Sequence, residues 1–497
     1  MFILLFVGIC PMVIAQEKKE VEIINADYLK YQETDGKKLT KLIGDVQLRQ
    51  EDVYMWCDSA LLNKETNSVD AYGHVQIQQD TIRAYSNTLH YEGNKKFAVL
   101  RGNAILTDSK MKLFTEELFY NISSKTAYYL TTGKVYRDSS IIVSKKGYYY
   151  SSSKEVFFKD SVRITDPNYQ LNSDTLRYHT ETKVSTFYGN TEIFNKNSRI
   201  VCNNGWYDSQ RDVSAFGKNT VIVNPPQLIY ADSLYYDRAK GFGKAYDKFR
   251  WVDSTMDVEL FGRYGEYEDE RQYIMATKQP LMIYKMANDS LFLTADTLKS
   301  QTKSATDTIR NFFAYHKVRL FMNDMQGVCD SLFYSFEDST FRMFYNPVLW
   351  SDDTQLSGDT IYLRTKEKKA ESMTIYNAGF IVTPAGKKYF DQIKGINIFG
   401  YFTNNELSKV EVRGNAESIY YGKDDKNKYI GNNKAQSTDI DLYFSEKKIS
   451  RIVFIRKPEA VFTPIKLLTD EQMKLKDFKW IPDRKPKNRE EFIDLLR

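Results

Sequence analysis

The stretch Gly73–Asn103, GHVQIQQDTIRAYSNTLHYEGNKKFAVLRGN, contains the pattern on which the whole chain is built. A glycine turn opens it, and Val75 and Ile77 then alternate with polar residues. Leu89 and Tyr91 belong to a second alternating run, and a polar turn leads on to the next glycine. Because successive side chains of a strand point to opposite faces, this alternation predicts strands with one apolar and one polar face.

The same unit recurs along the chain with a period near 29 residues. Its first marker is a turn residue, found at Gly44, Gly73, Gly102, Gly133, Asp160, Gly189, Gly217 and Asp247. Its second marker is a polar residue followed two and four positions later by larger side chains, as in Asp58-Ala60-Leu62, Asn87-Leu89-Tyr91, Glu116-Leu118-Tyr120, Asp174-Leu176-Tyr178, Asp232-Leu234-Tyr236, Asp330-Leu332-Tyr334 and Asp359-Ile361-Leu363. Two markers that stay in step over many units indicate a repeat protein.

Stacked copies of this unit predict an elongated all-β protein whose apolar faces form one continuous interior. The recurring aspartates stand where bends need short polar side chains, so a bend role is the favoured interpretation. A calcium ladder is the competing one, but calcium-binding β-solenoid repeats are short and rich in glycine.

The ends of the chain differ from the repeats. Residues 1–15 are apolar and uncharged up to Ala15, which predicts a secretory signal peptide. Repeats are expected over residues 22–385, and a divergent β region over 386–467, where positions 410–416 echo positions 100–104. The tail, 468–497, is predicted to form short helices at Leu468–Leu475 and Asn488–Leu496, with Asn488 and Glu491 as a capping box.

Composition excludes several classes of function. The 70 basic and 65 acidic residues nearly balance and are scattered, which is unlike the clustered charge of a nucleic-acid groove. The four histidines form no metal-ligand or catalytic pattern, and no phosphate loop or nucleophile elbow is present. We therefore expect no enzyme activity, catalytic residue, metal or cofactor. The three cysteines that remain after export, Cys57, Cys202 and Cys329, are expected to be small buried residues.

The tyrosines that end the second marker have two interpretations. Tyr91, Tyr120, Tyr178 and Tyr236 could pack across strands near the edge of the sheet. They could also line an apolar groove, with the ring buried and the hydroxyl in water. The sequence alone does not separate these interpretations, although cross-strand packing is favoured.

Several copies of the unit resemble a known family. Gly-Asp-Val-Gln-Leu at 44–48, Gly-His-Val-Gln-Ile at 73–77 and Arg-Gly-Asn-Ala-Ile-Leu at 101–106 are similar to the OstA-like (organic solvent tolerance, LptA) repeat. The interleaved Ala-x-x-Asn-x-Leu-x-Tyr at 84–91 fits the same pattern. The resemblance is close over residues 22–220, weaker to about 375, and returns over 393–421.

The resemblance implies a twisted β-jellyroll that is open along one edge and that carries lipopolysaccharide or a related glycolipid toward the outer membrane. The acyl chains of lipid A would lie in the apolar interior, in contact with Val46, Leu48, Val75, Ile77, Leu89, Ala104, Leu106, Leu118, Val162, Ile164, Leu176, Ile193 and Leu234. It also implies a periplasmic location, in association with the outer membrane assembly machinery. Partners would be other envelope lipid-transport proteins, or further copies of this chain joined end to end through terminal strand edges.

Two alternatives remain open at this point. One is a structural or adhesive β-solenoid whose interior is closed and fully packed. The other is a carbohydrate-processing β-helix enzyme, which would need a cleft with clustered carboxylates.

Overall fold

The computed structural model describes residues 19–34, 37–108, 111–137, 139–270, 272–286, 289–302, 304, 307, 309–367, 369–403, 406–445 and 448–496. The predicted signal peptide at residues 1–15 lies outside them. Strands dominate the described residues, which confirms the prediction of an all-β fold. The chain divides into two compact units, the first with the described residues up to Arg199 and Asn203–Gln210, and the second with Ile200–Cys202 and the residues from Arg211.

The first unit contains β1 (Glu22–Asn25), β2 (Tyr28–Thr34), β3 (Lys37–Gln50), β4 (Val53–Asn63), β5 (Ser68–Gln79), β6 (Ile82–Glu92), β7 (Phe97–Asp108), β8 (Met111–Asn121), β9 (Thr126–Tyr129), β10 (Gly133–Arg137), β11 (Ser140–Ser144), β12 (Lys146–Tyr150), β13 (Glu155–Thr165), β14 (Gln170–His179), β15 (Val184–Phe194) and most of β16 (Arg199–Asp208).

The second unit contains β17 (Val213–Asn224), β18 (Gln227–Asp237), β19 (Phe242–Asp253), β20 (Val258–Glu268), β21 (Tyr273–Thr277), β22 (Leu281–Lys285), β23 (Ser290–Thr294), β24 (Thr297–Thr302), β25 (Arg310–Phe321), β26 (Met325–Ser335), β27 (Thr340–Phe344), β28 (Val348–Ser351), β29 (Thr354–Ser357), β30 (Thr360–Lys366), β31 (Lys369–Tyr376), β32 (Gly379–Pro384), β33 (Phe390–Gly395), β34 (Asn397–Thr403), β35 (Glu406–Lys423), β36 (Tyr429–Ser445), β37 (Lys448–Ile455) and β38 (Glu459–Pro464). The predicted boundary at 385/386 lies inside this unit.

Consecutive long strands pair antiparallel, and each bends at a bulge near its middle. The register shifts between Ile43 and Val46 in the β3–β4 pair, and between Tyr72 and Val75 in the β5–β6 pair. The corner glycine of β5, Gly73, has a φ of +76°, and a Cβ there would lie 2.2 Å from the Oδ2 atom of Asp58. The two sequence markers are therefore the two sides of one corner, which confirms the predicted bend role of the aspartates.

The bends fold the sheet back on itself into two layers. Gln50 lies in the same cross-strand row as Ile82, through Val53 and Gln79. Tyr91 follows Ile82 by nine residues on the same strand. In a flat sheet, Tyr91 would therefore lie roughly 30 Å from the row that contains Gln50 and Ile82. Its hydroxyl nevertheless donates a hydrogen bond to Gln50 Oε1. The strand halves on the Gln50 side of the corners are here called the first layer, and those on the Tyr91 side the second layer.

The same corner recurs far along the chain, in the region that was predicted to be divergent. Gly414 has a φ of +82°, and its N–H donates to Asp439 Oδ1 at 3.0 Å. Residues 410–416, which echo the sequence at 100–104, thus form a corner between the two layers of the second unit.

The C-terminal tail runs along the outer face of the first layer of the second unit. It contains the short α1 (Glu490–Ile493) and single 3-10 turns at Ile465–Leu467, Asp470–Met473, Pro482–Arg484 and Asp494–Leu496. The side chain of Gln392 binds both Met473 O and Leu475 N, each at 2.8 Å. The helix predicted at Leu468–Leu475 is therefore limited to one turn, because its backbone groups are bound by the sheet. Near the end, Glu491 N donates to Asn488 Oδ1 at 3.1 Å, which is half of the predicted capping box.

Candidate functional site: the interior between the layers

The predicted interior positions point into the space between the two layers. All are buried, with side chains 0–6% exposed, except Ile193, which is only partly buried: Val46, Leu48, Val75, Ile77, Leu89, Ala104, Leu106, Leu118, Val162, Ile164, Leu176 and Leu234. The first unit brings the positions of its two layers together across one interior, whereas Leu234 belongs to the second unit. Their predicted contact with lipid stays a prediction.

This interior is packed by its own side chains. Leu48 and Leu106 from the first layer are 0% exposed, as is Leu118 from the second layer. Apolar groups buried to this degree already contact protein atoms on all sides. An acyl chain can therefore occupy the interior of the first unit only if the two layers move apart.

The edge opposite the corners, here called the rim, is held by a row of tyrosines. Tyr91 donates to Gln50 Oε1, and Tyr120 donates to Gln79 Oε1 at 2.5 Å. Tyr149 repeats the arrangement and donates a hydrogen bond to Asp108 Oδ2 at 2.6 Å. Each tyrosine follows its acceptor by 41 residues, so the period of the repeat fixes the row. We call Tyr91, Tyr120, Tyr149 and their three acceptors the tyrosine latch.

Further contacts support the latch on both sides. The guanidinium of Arg137 lies 3.7 Å from the ring centre of Tyr178, which continues the spacing of 41. Lys96 Nζ binds Glu51 Oε2 at 2.6 Å, joining turns at the two sides of the rim. Partly exposed pairs of this kind contribute up to about 1 kcal/mol each. In the described part of the first unit, the rims are thus joined by side chains and not by a β-ladder, which agrees with the predicted open edge.

The latch decides between the two interpretations of the tyrosines. The rings are packed inside, and the hydroxyls of Tyr91 and Tyr120 are buried as well, with residue exposures of 0% and 1%. The interpretation with a hydroxyl in water is therefore wrong for these two residues, because the hydroxyl binds the opposite layer. Burial raises the pKa of both phenols, so they remain protonated donors at neutral pH.

The second unit carries a corresponding row, with one interruption. Directly paired residues of its second layer follow one another as Tyr236, Gly243, Tyr267, Ile274, Ser300, Phe312, Tyr334 and Phe341. A tyrosine stands in every second strand of this row except at β24, where the residue is Ser300. The sequence signal was the segment Asp296-Leu298-Ser300, which has the marker spacing but lacks the final large residue.

A small cavity lies at this interruption. Its volume is about 20 Å³, room for one water-sized sphere. Its lining is mostly apolar, and the polar groups among its residues are the hydroxyls of Ser300, Tyr284 and Tyr334 and the indole N–H of Trp251. The lining residues are Trp251, Met256, Val258, Met282, Tyr284, Leu291, Ser300, Phe312, Tyr334, Phe336 and Phe341.

Many of the titratable residues serve the corners and the outer surface. His74 Nδ1 lies 2.8 Å from Asp58 Oδ2 at a corner, and His316 Nδ1 lies 2.9 Å from Asp330 Oδ2. Glu117 binds Arg101 Nε at 2.6 Å. In the part of the chain that the structure describes, no group of three or more His, Cys, Asp or Glu residues is placed to hold a metal. The three cysteines are buried, as predicted.

Comparisons with known proteins match the N-terminal part of the chain. Residues 18–174 match the family model described as OstA-like protein. Among solved structures, the crystal structure of LptH from Pseudomonas aeruginosa, the LptA homologous periplasmic component of the lipopolysaccharide transport device, matches with 12% identity. That match covers 21% of this chain and 79% of LptH, with a TM-score of 0.20. No curated protein matches the chain. Within the described residues, no helix has the length and apolarity needed to cross a membrane.

Proposed function

We propose that this protein carries lipopolysaccharide, or a related glycolipid, through the periplasm toward the outer membrane. The match of residues 18–174 to the OstA-like family model supports this proposal. The acyl chains travel between the two layers while the sugars stay in water. The protein acts without catalysis and without a metal or cofactor.

The observation that supports this proposal most directly is the construction of the rim. Its two sides are linked by side chains such as Tyr120 and Gln79, so the layers can part without breaking a β-ladder. Breaking one buried hydrogen bond of this kind costs about 1–3 kcal/mol. Burial of an acyl chain contributes about 0.8 kcal/mol per methylene, so burial of roughly ten methylenes offsets the loss of several such hydrogen bonds.

The terminal strands offer surfaces for the proposed partners. In β2, Tyr28 and Tyr31 are 73% and 71% exposed. At the other end of the chain, Val461 and Phe462 of β38 are 64% and 52% exposed. Apolar side chains on exposed strands favour pairing with a strand of another protein or of a second copy, which would extend the lipid path.

Site-specific photo-crosslinking in envelope preparations tests the proposal. A photoreactive residue at Leu106 or at Leu176 is expected to yield lipid adducts, because both side chains face the interior. The matched control is Lys112, which is exposed on the outside of the next strand, β8. If the interior and outward positions give the same adduct yield, or none, the transport proposal fails.

A structural scaffold is the second candidate, because the interior of the first unit is packed without any lipid. Mass spectrometry of the protein purified from an envelope fraction separates the two functions. A carrier retains a glycolipid in a defined ratio to protein, whereas a scaffold retains only traces of the bulk membrane lipids.

A further inference from the structure

The tyrosine row of the second unit is interrupted where a small residue replaces a ring. Tyr267 and Tyr334 lie two strands before and two strands after Ser300 in the same row. Ser300 is 3% exposed, so its position is as interior as those of the latch tyrosines. The missing ring leaves space between the layers, and the cavity of about 20 Å³ lies there.

Both layers line this cavity with side chains that can yield. Met256 and Met282 come from the side of the first layer, and Phe312 and Phe336 from the side of the second. Methionine is unbranched and adapts to irregular spaces, so its displacement enlarges the cavity at low cost. A water needs two to four polar partners, and this lining offers few, so an apolar occupant fits it better.

A buried N–H donor lines the cavity, and a buried guanidinium lies close to it. The indole of Trp251 lines it and is 2% exposed, and its Nε1 lacks a hydrogen-bond acceptor among the described residues. The guanidinium of Arg310 lies 5.6 Å from the Trp251 ring centre and is held by Gln272 O at 2.8 Å. An apolar space beside a buried cation and a free N–H donor suits a molecule with a hydrocarbon chain and an anionic end.

We infer that the gap at Ser300 is an acyl-chain site, at which the second unit takes one chain of an anionic amphiphile before the latched first unit opens. This inference rests on the proposed function. The chain enters between Met256 and Met282, and its anionic end lies toward Arg310 and Trp251. Because the latch of the first unit is intact, the interior of that unit binds the first acyl chain more weakly than the gap at Ser300 does.

The experiment uses the full chain and a diazirine-bearing palmitic acid as the probe, with adducts located by peptide mass spectrometry. At limiting probe concentration, adducts around Met256 and Met282 are expected to exceed those around Leu106 at least tenfold. Ser300→Tyr supplies the missing ring and is expected to reduce the Met282 adducts at least tenfold. Gln301→Tyr places the same side chain on the other face of the same strand and is expected to change them less than twofold.

A second variant gives an independent result if Ser300→Tyr does not fold. Met282→Phe fills the cavity from the opposite layer and is expected to reduce adducts around Met256 similarly, with an unchanged melting temperature. The inference is overturned if either folded variant keeps the original adduct yield, or if the first unit is labelled equally at limiting probe. Adducts confined to the interior of the first unit would overturn this inference alone, whereas interior adducts in neither unit would overturn the proposed function too.

Discussion

The two units apply one repeat in different ways. In the first unit, Tyr91, Tyr120 and Tyr149 bind across to the other layer and hold the rim together. In the second unit, Ser300 interrupts the row, and a cavity replaces the missing ring. A single position in the repeat thus decides whether the layers are joined tightly or leave a gap between them.

The outer faces differ as well. In the first unit, Phe119, Tyr128 and Tyr148 stack in succession on the outside of the second layer, with ring centres 4.8 and 5.9 Å apart. In the second unit, the tail covers apolar residues on the outside of the first layer, including Trp350 and Phe292. Stability of the second unit should therefore depend on the tail, and that of the first unit should not.

Truncation of Phe492, whose side chain docks the end of the tail, should give the largest difference in stability between the units. Phe492 is 0% exposed and packs against Leu281, Phe292 and Phe321. Phe492→Ala should cost about 3–5 kcal/mol of tail docking, because it leaves a cavity in this cluster. Hydrogen exchange should accelerate in β22 and β23 and stay unchanged in β3–β8. Leu496→Ala, at an exposed position of the same tail, is the control, and equal acceleration in both units would show that the units are not independent.

The corners provide the next test, because the corner of β5 in the first unit has a glycine, Gly73, whereas a corner of the second unit has Lys278. Gly73→Ala should lower the free energy of unfolding of the first unit by about 2 kcal/mol, since an L-residue is strained at its φ of +76°. In the second unit the corner residue Lys278 already has a φ of +58°, so Lys278→Gly should be nearly neutral. Urea denaturation measures both changes. A neutral Gly73→Ala would contradict the account of the corner.

The second unit should lose stability as pH rises through the range in which one buried carboxyl titrates. Burial raises the pKa of the Asp391 carboxyl to about 6, although the N–H of Tyr421 and the charge of Lys423 act in the other direction. Between pH 4 and 6 the folded state then binds more protons than the unfolded state. The free energy of unfolding should fall as pH rises through this window, by at most about 1.4 kcal/mol per pH unit. Asp391→Asn should remove this pH dependence of the free energy of unfolding, as measured by denaturation curves at several pH values. If the dependence is unchanged, groups other than Asp391 cause it.

The smallest expected change in stability is at the latch. Tyr120→Phe removes one hydroxyl and should lower the free energy of unfolding by about 1 kcal/mol. It should also increase labelling of Leu106 by the diazirine-bearing fatty acid, because the rim opens more easily. Tyr128→Phe, on the outer face, is the control for both measurements. Unchanged labelling with Tyr120→Phe would mean that the latch does not limit access.

The sequence predicted the repeat, the strands and the inward positions well, because each depends on local alternation and on a fixed period. It also placed Asp58 and Gly73 in step, although their contact across the corner appeared only in the structure. The bond between Gln79 and Tyr120 could not be predicted, since it depends on how the sheet folds back. The tail was predicted as short helices because the sequence does not show that buried Gln392 binds its backbone.

Parting of the layers is the central claim, and the distance across the rim of the first unit tests it most directly. Spin labels at Thr81 and Lys95, in exposed turns on opposite sides of the rim, report this distance by pulsed electron paramagnetic resonance. The thiols of Cys57, Cys202 and Cys329 interfere little, because they are buried and burial raises the pKa of Cys57 to about 11. Saturating glycolipid should lengthen the mean distance by several ångströms, and more readily in Tyr120→Phe. An unchanged distance with glycolipid bound would contradict the account.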